Sequence, residues 1–294
     1  MDVQQSGLLN GRVVVITGGA RGMGRAYTHA FLKAGAKVVS TDRSWSGVEP
    51  LDDELTNGGR NALATDMDVT REEQIDAVYA QTMERFGTVD VLINNAAMRQ
   101  RDLFPPSGRV TTLETKDSDW EKSFAVNVFG ALKVTRRFIR PMIEQRRGSI
   151  INIVSSGILN HSQGGAYMAL RPNSQEMPYQ SGKAALATMS FYLADEVKER
   201  NVAVNVLIPG HTRTTGFDEQ NIARMKRGAT QTGPKPLVPE HMVPIALHLA
   251  AQPGGLTTGK MFNVMTWNVE HGLGGTEHWL DRSFSYDALR ASIA

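Results

Sequence analysis

Short apolar segments alternate with longer amphipathic segments along most of the chain. The apolar segments are rich in β-branched residues and predict six strands: RVVVITG, KVVSTD, VDVLINNAA, GSIINIVSS, VAVNVLIPG and GKMFNVM. The others carry apolar residues at helical spacing and predict helices: GRAYTHAFLKAGA, REEQIDAVYAQTMERFG, DSDWEKSFAVNVFGALKVTRRFIRPMIEQRR, PYQSGKAALATMSFYLADEVKER and PEHMVPIALHLAA. Thr70 and Glu73 have the pattern of a capping box at the second helix. Such alternation is typical of an α/β fold, and we predict a doubly wound parallel sheet of about seven strands with helices on both faces.

No linker or repeat interrupts the alternation, so we predict one domain over residues 1–294 with a core at about residues 10–265. The segments outside the alternation follow the carboxyl ends of strands, where open α/β sheets bind ligands. They are residues 99–116, an insertion at 157–177 beside the site, and a substrate lid at 211–237. A tail at 269–294 has no role assigned from its sequence.

Composition narrows the class of protein. Because the chain has no cysteine, disulfides, thiolate nucleophiles and cysteine-ligated metals are excluded. A net charge of +2 and a pI near 8.8 are too mild to indicate nucleic-acid binding. The histidines lack metal-ligand spacing, so we predict no metal. The N-terminus lacks the pattern of a signal peptide and no apolar run could span a bilayer, so we expect a cytoplasmic protein.

The turn after the first strand has the residues that a dinucleotide requires. In TGGARGMG, Gly18, Gly22 and Gly24 allow a tight turn, approach of the backbone to a pyrophosphate and close helix packing. Asp42 ends the second strand, where a carboxylate accepts hydrogen bonds from the adenosine ribose and repels a 2′-phosphate. We therefore predict a Rossmann-like site that favours NAD. Arg21 and Arg43 are able to receive the extra phosphate of NADP, which stays an alternative.

Two tyrosines are each followed four residues later by a cation. A proline comes directly after Arg171 and disfavours helical geometry there, so Tyr167 and Arg171 are not expected to share a helix face. Tyr179 instead follows a proline suited to a first helical turn, and helix formers continue past Lys183. We predict that Tyr179 and Lys183 are the reactive pair, because a neighbouring ammonium lowers the pKa of a phenol.

Taken in order, these motifs resemble the short-chain dehydrogenase/reductase family over about residues 10–265. The resemblance rests on the glycine turn at 17–24, DMDV at 66–69, NNAA at 94–97, Asn127, Ser155, Tyr179-x-x-x-Lys183 and IPGHTRT at 208–214. It implies an NAD(P)-dependent oxidoreductase that interconverts a secondary alcohol and a ketone. Two departures stand out: NNAA replaces the NNAG of the family, and VMTWNVEHGLGG stands where Asp-Gly-Gly is usual.

The resemblance also implies a role for each matching residue. Tyr179 is the expected acid/base, Lys183 binds the nicotinamide ribose, and Ser155 orients the reacting oxygen. Asn127 is expected to hold a water that links Lys183 to solvent. The expected cofactor-binding residues are Gly18, Arg21, Gly22, Met23, Gly24, Asp42, Arg43, Asp68, Val69, Asn94, Asn95, Ala96, Tyr179, Lys183, Pro209, Gly210, Thr212 and Thr214.

The substrate is less constrained by the sequence than the chemistry is. Basic residues in the loops after the strands indicate either a polar or acidic substrate or a solvated lid surface: Arg99, Arg101, Arg109, His161, Arg171 and Arg213. We predict a polar cyclic or aromatic alcohol or ketone. An alternative function is a catalytically silent protein that senses a dinucleotide. The resemblance further implies a homo-oligomer, a tetramer or dimer, formed through the long helices that carry Asn127 and Tyr179.

Overall fold

Seven parallel strands form one sheet in the order β3-β2-β1-β4-β5-β6-β7. The strands are β1 (Val13–Thr17), β2 (Lys37–Asp42), β3 (Ala62–Asp66), β4 (Val91–Asn94), β5 (Gly148–Ile153), β6 (Val202–Ile208) and β7 (Met261–Asn263). The computed structural model describes residues 7–52, 56–105, 110–158, 176–214, 217–226, 228, 234–253 and 255–293. The prediction of a doubly wound parallel sheet is confirmed.

Helices connect the strands and cover both faces of the sheet. They are α1 (Gly22–Lys33), α2 (Glu72–Phe86), α3 (Gln100–Leu103), α4 (Asp117–Phe124), α5 (Ala131–Glu144), α6 (Tyr179–Val197), α7 (Phe217–Lys226), α8 (Val243–Ala251), α9 (Val264–Glu270) and α10 (Tyr286–Ala291). A π-helical segment, Ala125–Gly130, joins α4 to α5, so the predicted long helix is continuous but wound differently at its middle. None of the helices in the described part of the chain is long and apolar enough to cross a membrane.

Strand β1 is apolar over almost its whole length because its residues point alternately into two cores. Val14 and Ile16 of β1 pack in one core with Phe31 of α1. Val15, between them, packs in the other core with Phe138 of α5. Since both faces of β1 are buried, a polar residue on either face would have to leave water, which explains the run of valines and isoleucine.

The two edges of the sheet differ most from the sequence prediction. The strand β3, absent from the six predicted segments, pairs with β2 at the edge of the sheet, and only its first residue, Ala62, is buried. The predicted last strand GKMFNVM ends early, because Asn263 begins α9 and its side chain accepts hydrogen bonds from Met265 N and Thr266 N at 3.1 and 3.3 Å. Edge strands bury less surface, so their hydrophobic pattern is weak.

The strand order reverses at β1, which lies between β2 and β4. Chain leaving β1 turns towards one side of the sheet and chain leaving β4 towards the other, so a crevice opens at their carboxyl ends. This crevice receives the ends of β1, β2, β4, β5 and β6, the strands after which the sequence places its candidate residues.

Candidate active site

A cavity of about 1710 Å³ lies at the carboxyl ends of the strands. Most of the predicted site residues line it: Gly18, Arg21, Gly22, Met23, Asp42, Arg43, Asp68, Val69, Asn95, Ala96, Ser155, Tyr179, Lys183, Pro209, Gly210, Thr212 and Thr214. Three predicted residues lie behind its wall, namely Gly24, Asn94 and Asn127. The fold thus brings residues from the first and last thirds of the chain to one cavity.

The glycine turn at one end of the cavity fits a pyrophosphate. Gly18 and Gly22 have φ angles of +66° and +54°, which favour glycine, and a Cβ atom on Gly24 would overlap the carbonyl oxygen of Gly18. The first turn of α1 contains no acidic residue, whereas Glu72 and Glu73 occupy the first turn of α2. The amide groups that begin α1 are therefore suited to a bound anion.

The carboxylate of Asp42 is fixed at the end of β2. Its Oδ2 accepts a hydrogen bond from Ala20 N at 3.1 Å, and its Oδ1 accepts one from Arg43 N at 2.8 Å. The guanidinium of Arg21 is turned to the loop that follows, where it donates to Ser46 O at 2.8 Å. The acid is thus held beside the glycine turn, at the position expected for a ribose ligand.

Asp68 is oriented by Thr70, which does not cap α2 as the sequence predicted. The N-cap residue of α2 is Arg71, and it makes no side-chain capping bond. The amide and hydroxyl of Thr70 both donate to Oδ1 of Asp68, at 2.9 and 2.7 Å. The second carboxylate oxygen of Asp68 therefore remains available to a ligand in the cavity.

Asn94, the last residue of β4, and Asn95, which follows it, support the site through hydrogen bonds. Of the two, Asn95 lines the cavity. Asn94 is buried, and its Nδ2 donates to Thr135 Oγ1 and Asn152 Oδ1 at 2.9 and 2.8 Å. Asn95 Nδ2 donates to the carbonyl oxygens of Thr17 and Gly18 at 3.0 Å, which ties this loop to the glycine turn. The sequence analysis gave the side chain of Thr17 no role in the site. Its hydroxyl nevertheless accepts a hydrogen bond from Asn95 N at 3.0 Å.

Asn127 lies in the π-helical segment and also has a supporting position. Its Oδ1 accepts from Met98 N at 3.1 Å, and its Nδ2 donates to Met98 O at 2.8 Å and to Ser123 Oγ at 3.1 Å. The side chain therefore ties the loop after β4 to the long helix. Single π turns within α-helices are frequent at functional sites, because they displace backbone groups from the regular ladder.

Tyr179 begins α6, as the sequence predicted, and its ring lines the cavity. Burial, with a smaller contribution from the carboxylate of Glu176, raises the pKa of Tyr179 to about 12. A hydrogen bond from Ser155 and the charge of Arg99 act in the opposite direction but are weaker. The expectation that the pKa of Tyr179 lies below its usual value is wrong, because burial of the ring outweighs the neighbouring groups that lower it.

Lys183 lies one helical turn after Tyr179 and is buried, with 1% of its surface exposed. Its Nζ lies 5.9 Å from the centre of the Tyr179 ring and donates to Ile153 O at 2.9 Å. Burial lowers the pKa of Lys183 to about 8. The amine is thus fixed beside the phenol by a backbone carbonyl of β5.

Gln180 was not predicted as a site residue, and it organises Ser155. Its Nε2 donates to Ser155 Oγ at 3.1 Å and to Glu176 Oε2 at 2.7 Å. A carboxylate only accepts hydrogen bonds, so the contact with Glu176 fixes which end of the amide carries the nitrogen. The backbone N of Gly157 also donates to Ser155 Oγ, at 3.4 Å. No sequence signal marked Gln180, because the motif Tyr179-x-x-x-Lys183 leaves the residue after the tyrosine unspecified.

His241 supports the Pro-Gly loop from behind. Its Nε2 accepts from Gly210 N at 3.1 Å, and its Nδ1 donates to Val238 O at 2.7 Å, which assigns the neutral tautomer. Burial lowers the pKa of His241 to about 4. Across the residues that the structure describes, no group of three or more histidine, aspartate or glutamate side chains is arranged to hold a metal ion.

Ion pairs satisfy the described arginines that the sequence analysis associated with a polar or acidic substrate. Arg99 contacts Asp102 at 3.2 Å, and Arg101 contacts Glu219 at 2.9 Å. Arg213 pairs with two carboxylates and does not line the cavity. Their charges are therefore largely balanced within the protein. Arg109, His161 and the Tyr167–Arg171 pair lie outside the described residues, as does most of the insertion at 157–177.

Known proteins are similar to this chain in sequence and in fold. It is 47% identical over 288 residues to fluoren-9-ol dehydrogenase of Terrabacter sp. (strain DBF63), covering 96% of this chain and 78% of that protein. It is 30% identical over 261 residues to a hydroxy(phenyl)methyl-succinyl-CoA dehydrogenase subunit, BbsD, of Thauera aromatica, covering 87% and 96%. A solved structure from Burkholderia xenovorans, assigned to the short-chain dehydrogenases/reductases, matches with a TM-score of 0.70 and 23% identity over 88% of this chain and 96% of that one.

The family model supports the same assignment over most of the chain. The model of the short chain dehydrogenases matches residues 12–225, which include the glycine turn, Ser155, Tyr179 and Lys183. The prediction of an enzyme is thereby confirmed, in preference to a silent dinucleotide sensor. The chain belongs to the short-chain dehydrogenase family and is an NAD(P)-dependent oxidoreductase that acts on CH–OH groups.

Proposed function

We propose that the protein interconverts an aryl-substituted secondary alcohol and its ketone, with NAD as cofactor and Tyr179 as the acid/base. One observation carries this proposal: Ser155, Tyr179 and Lys183 line the same cavity as the glycine turn and Asp42. A proton-transfer group and a dinucleotide cradle within one cavity are the two parts that a hydride transfer requires.

The residues present fit NAD. The glycine turn and the start of α1 would hold its pyrophosphate, Asp42 its adenosine ribose, and Asp68 its adenine. The Pro-Gly loop, held by His241, would line the nicotinamide. When bound, the nicotinamide supplies the acceptor of the hydride in oxidation and the donor in reduction.

The side chains of the protein move the proton. In oxidation, the O–H bond of the alcohol breaks and its proton passes to Oη of Tyr179, while the hydride leaves the carbinol carbon and a C=O bond forms. In reduction, Tyr179 returns the proton to the ketone oxygen. The raised pKa keeps the phenol protonated at neutral pH, which is the form that reduction needs. Lys183, held by Ile153 O, places a positive charge beside the phenolate that oxidation needs.

Gln180 determines the direction in which the hydroxyl of Ser155 donates. A serine hydroxyl has one proton and two acceptor sites. Both acceptor sites receive protons, from Nε2 of Gln180 and from the amide of Gly157. The proton of Ser155 is therefore directed away from both groups, towards Tyr179 and the oxygen of a substrate.

The substrate class follows from the wall of the cavity and from the relatives. Both relatives are named for a compound with an aromatic ring beside a hydroxyl-bearing carbon. The compounds are fluoren-9-ol and one with a hydroxy(phenyl)methyl group. The cavity wall includes the rings of Phe217, Tyr286 and His211. Because Arg99 and Arg101 are paired with carboxylates, an aromatic substrate is better supported than an acidic one.

A comparison of substrates tests the proposal. We expect reduced nicotinamide to accumulate when the protein is given NAD and fluoren-9-ol, and to be consumed when it is given NADH and fluoren-9-one. Aliphatic secondary alcohols such as cyclohexanol should be poorer substrates, and each alcohol should be tested with NAD and NADP. Absence of turnover with every secondary alcohol and both cofactors would contradict the proposal.

The choice of NAD over NADP makes a separate prediction at Asp42. We expect Asp42→Asn to lower the ratio of kcat/KM for NAD to that for NADP by about a hundredfold, since it removes a charged acceptor for the ribose and a repulsive charge, each affecting binding by about 1.5 kcal/mol. Asp66→Asn is the matched control, because Asp66 ends the neighbouring strand but does not line the cavity. An unchanged ratio in Asp42→Asn would exclude the carboxylate as the reader of the ribose.

The position of Gln180 makes a further prediction. Gln180→Met removes both amide protons at similar size, and we expect kcat to fall about fivefold with little change in the KM for NAD, because one hydrogen bond contributes about 1 kcal/mol. In a Ser155→Ala background the same change should have no further effect on kcat, since Gln180 acts through Ser155. Additive losses in the double variant would show that Gln180 has another role.

Assembly through the long helices stays a prediction. The residues Phe129, Phe191 and Tyr192, on the π-helical segment and α6, are exposed to 54%, 37% and 71%. Large apolar side chains at neighbouring surface positions are typical of contacts between subunits. We propose on this basis that the protein is a homo-oligomer, a dimer or a tetramer.

A further inference from the structure

The C-terminal tail is joined by backbone hydrogen bonds to the loop that lines the cofactor site. Leu237 forms a parallel bridge with Thr212 on one side and an antiparallel bridge with Leu280 on the other. Next to the second bridge, Val238 N donates to Trp279 O at 2.9 Å. The segment at Leu237 therefore lies between the chain after the Pro-Gly loop and the tail. It is joined to both by backbone hydrogen bonds of the kind that form a β-sheet.

Arg213 links helix α7 to the C-terminal tail. Its guanidinium contacts Asp218 at the start of α7 and, at 3.0 Å, Asp281 in the tail, and it also donates to Ser283 Oγ at 3.1 Å. Burial alone would raise the pKa of Asp281, but the hydrogen bonds from Ser283 and Arg213 lower it. A planar guanidinium that contacts carboxylates on two segments fixes them relative to each other.

Aromatic packing extends this link to the cavity. Phe284 in the tail is buried, with 3% of its surface exposed, and its ring centre lies 5.3 Å from the guanidinium of Arg213. The same ring meets Phe217 edge to face at 5.4 Å and Tyr286 at 4.7 Å. Phe217 and Tyr286 both line the cavity. Phe284 is thus the support on which two wall residues rest.

Tyr286 is the residue that brings the tail into the cavity wall. It begins α10, and its hydroxyl lies 3.4 Å from Pro234 O, also in the wall. The cavity is the one that holds Tyr179 and Ser155, so a substrate whose oxygen meets these two groups extends into space bounded partly by the tail. Aromatic rings prefer to pack against each other offset or edge to face. Phe217 and Tyr286 are two rings in the wall against which an aromatic substrate could pack in this way.

We propose that the segment from Trp279 to Ala291 is a specificity element, in which Tyr286 contacts the aromatic ring of the substrate and the Arg213–Asp281 pair holds Tyr286 in place. The proposal rests on the proposed function for the substrate class. It assigns a role to the tail that Tyr179, Ser155 and Lys183 do not supply. The tail contributes binding of the ring and takes no part in the transfer of proton or hydride.

The first test replaces the ring of Tyr286. We expect Tyr286→Ala to lower kcat/KM for fluoren-9-ol about tenfold, since loss of one aromatic contact and its buried area costs about 1.4 kcal/mol. Cyclohexanol turnover and the KM for NAD should not change, and Tyr286→Phe, which keeps the ring, should resemble the wild type. Equal losses for both alcohols in Tyr286→Ala would overturn the proposal.

A binding measurement separates this proposal from the proposed function. In the Tyr179→Phe background with NAD present, we expect calorimetry to show fluoren-9-ol binding about tenfold more weakly when Tyr286→Ala is added. Unchanged binding would refute the role of the tail even if the wild type oxidises fluoren-9-ol. A wild type that oxidises no secondary alcohol would instead refute the proposed function.

The second test releases the link between Arg213 and the tail. Asp281→Asn keeps the size of the side chain but removes its charge, and we expect the same selective loss with fluoren-9-ol together with faster proteolysis of the tail. Asp287→Asn is the matched control, because Asp287 lies in the same tail and its side chain is 93% exposed. If the two variants behave alike, the Arg213–Asp281 pair does not position Tyr286.

Discussion

Replacement of Tyr179 by phenylalanine is expected to lower kcat by about a thousandfold while the affinity for the cofactor is retained. The substitution removes one oxygen atom from a ring that lines the cavity beside Ser155. General acid–base catalysis contributes about a hundredfold to ten-thousandfold to a rate, and the phenol is the proton-transfer group we assign. Steady-state kinetics with fluoren-9-ol, and calorimetric titration of NAD, measure the two quantities separately.

Tyr192→Phe provides the matched control for this prediction. Tyr192 lies on the same helix, α6, but its side chain is 71% exposed and does not line the cavity. We expect full activity in this variant. We also expect wild-type oxidation to become faster as the pH rises above neutral, because burial raises the pKa of Tyr179 to about 12 and oxidation needs the phenolate. Near-normal kcat in Tyr179→Phe would show that another group transfers the proton.

Replacement of Lys183 by methionine is expected to have opposite effects on activity and stability. Lys183 is buried, and a methionine of similar length fills its space without a charge. We expect kcat to fall at least about a hundredfold, because the phenolate of Tyr179 loses the neighbouring ammonium. We expect the free energy of unfolding at neutral pH to rise by about 2 kcal/mol.

The gain in stability follows from the pKa of Lys183. Burial lowers this pKa to about 8 in the folded protein, against about 10.4 for an unfolded lysine. The unfolded chain therefore binds the proton more tightly, and at neutral pH this disfavours folding by about 3 kcal/mol. Loss of the hydrogen bond to Ile153 O offsets about 1 kcal/mol of the gain in Lys183→Met.

The dependence on pH provides the decisive measurement. Between pH 8 and about 10.4 the stability of the wild type should rise relative to Lys183→Met, because the unfolded wild-type chain holds a proton that the folded protein has lost. Denaturant unfolding of both proteins across this range gives the difference directly. Lys198→Met is the control, since Lys198 is exposed and is paired with Asp195. A difference between wild type and Lys183→Met that does not vary with pH would contradict the assigned pKa.

The residues assigned to the chemistry of the candidate site could be predicted from the sequence, whereas the residues that hold them in position could not. The spacing of Tyr179 and Lys183 on one helix is a local property, and the preceding proline marks where that helix begins. Gln180 and His241 are different, because each acts on a group distant in the chain or in another segment. The bonds from Gln180 to Ser155 and from Gly210 to His241 span 25 and 31 residues, and no local pattern encodes such pairings.

The charges and pKa values show the same division. Arg101 and Arg213 looked like a basic surface in sequence, but the fold places the distant Glu219 and Asp281 beside them. The pKa of Tyr179 was predicted to fall because a cation is near, and it rises because the fold buries the ring. Desolvation depends on every atom around a group, so it cannot be computed from the residue four positions away.

The sequence by itself determined the parallel α/β sheet, the glycine turn beside Asp42, and the helix that begins at Tyr179. These features depend on burial of both faces of a strand and on backbone geometry at glycine and proline, which act within a few residues. Only the tertiary structure places the tail against the cavity wall, where Arg213, Phe284 and Tyr286 meet across about seventy residues of chain. Contacts between distant segments depend on how whole elements pack, and the order of residues along one element does not record them.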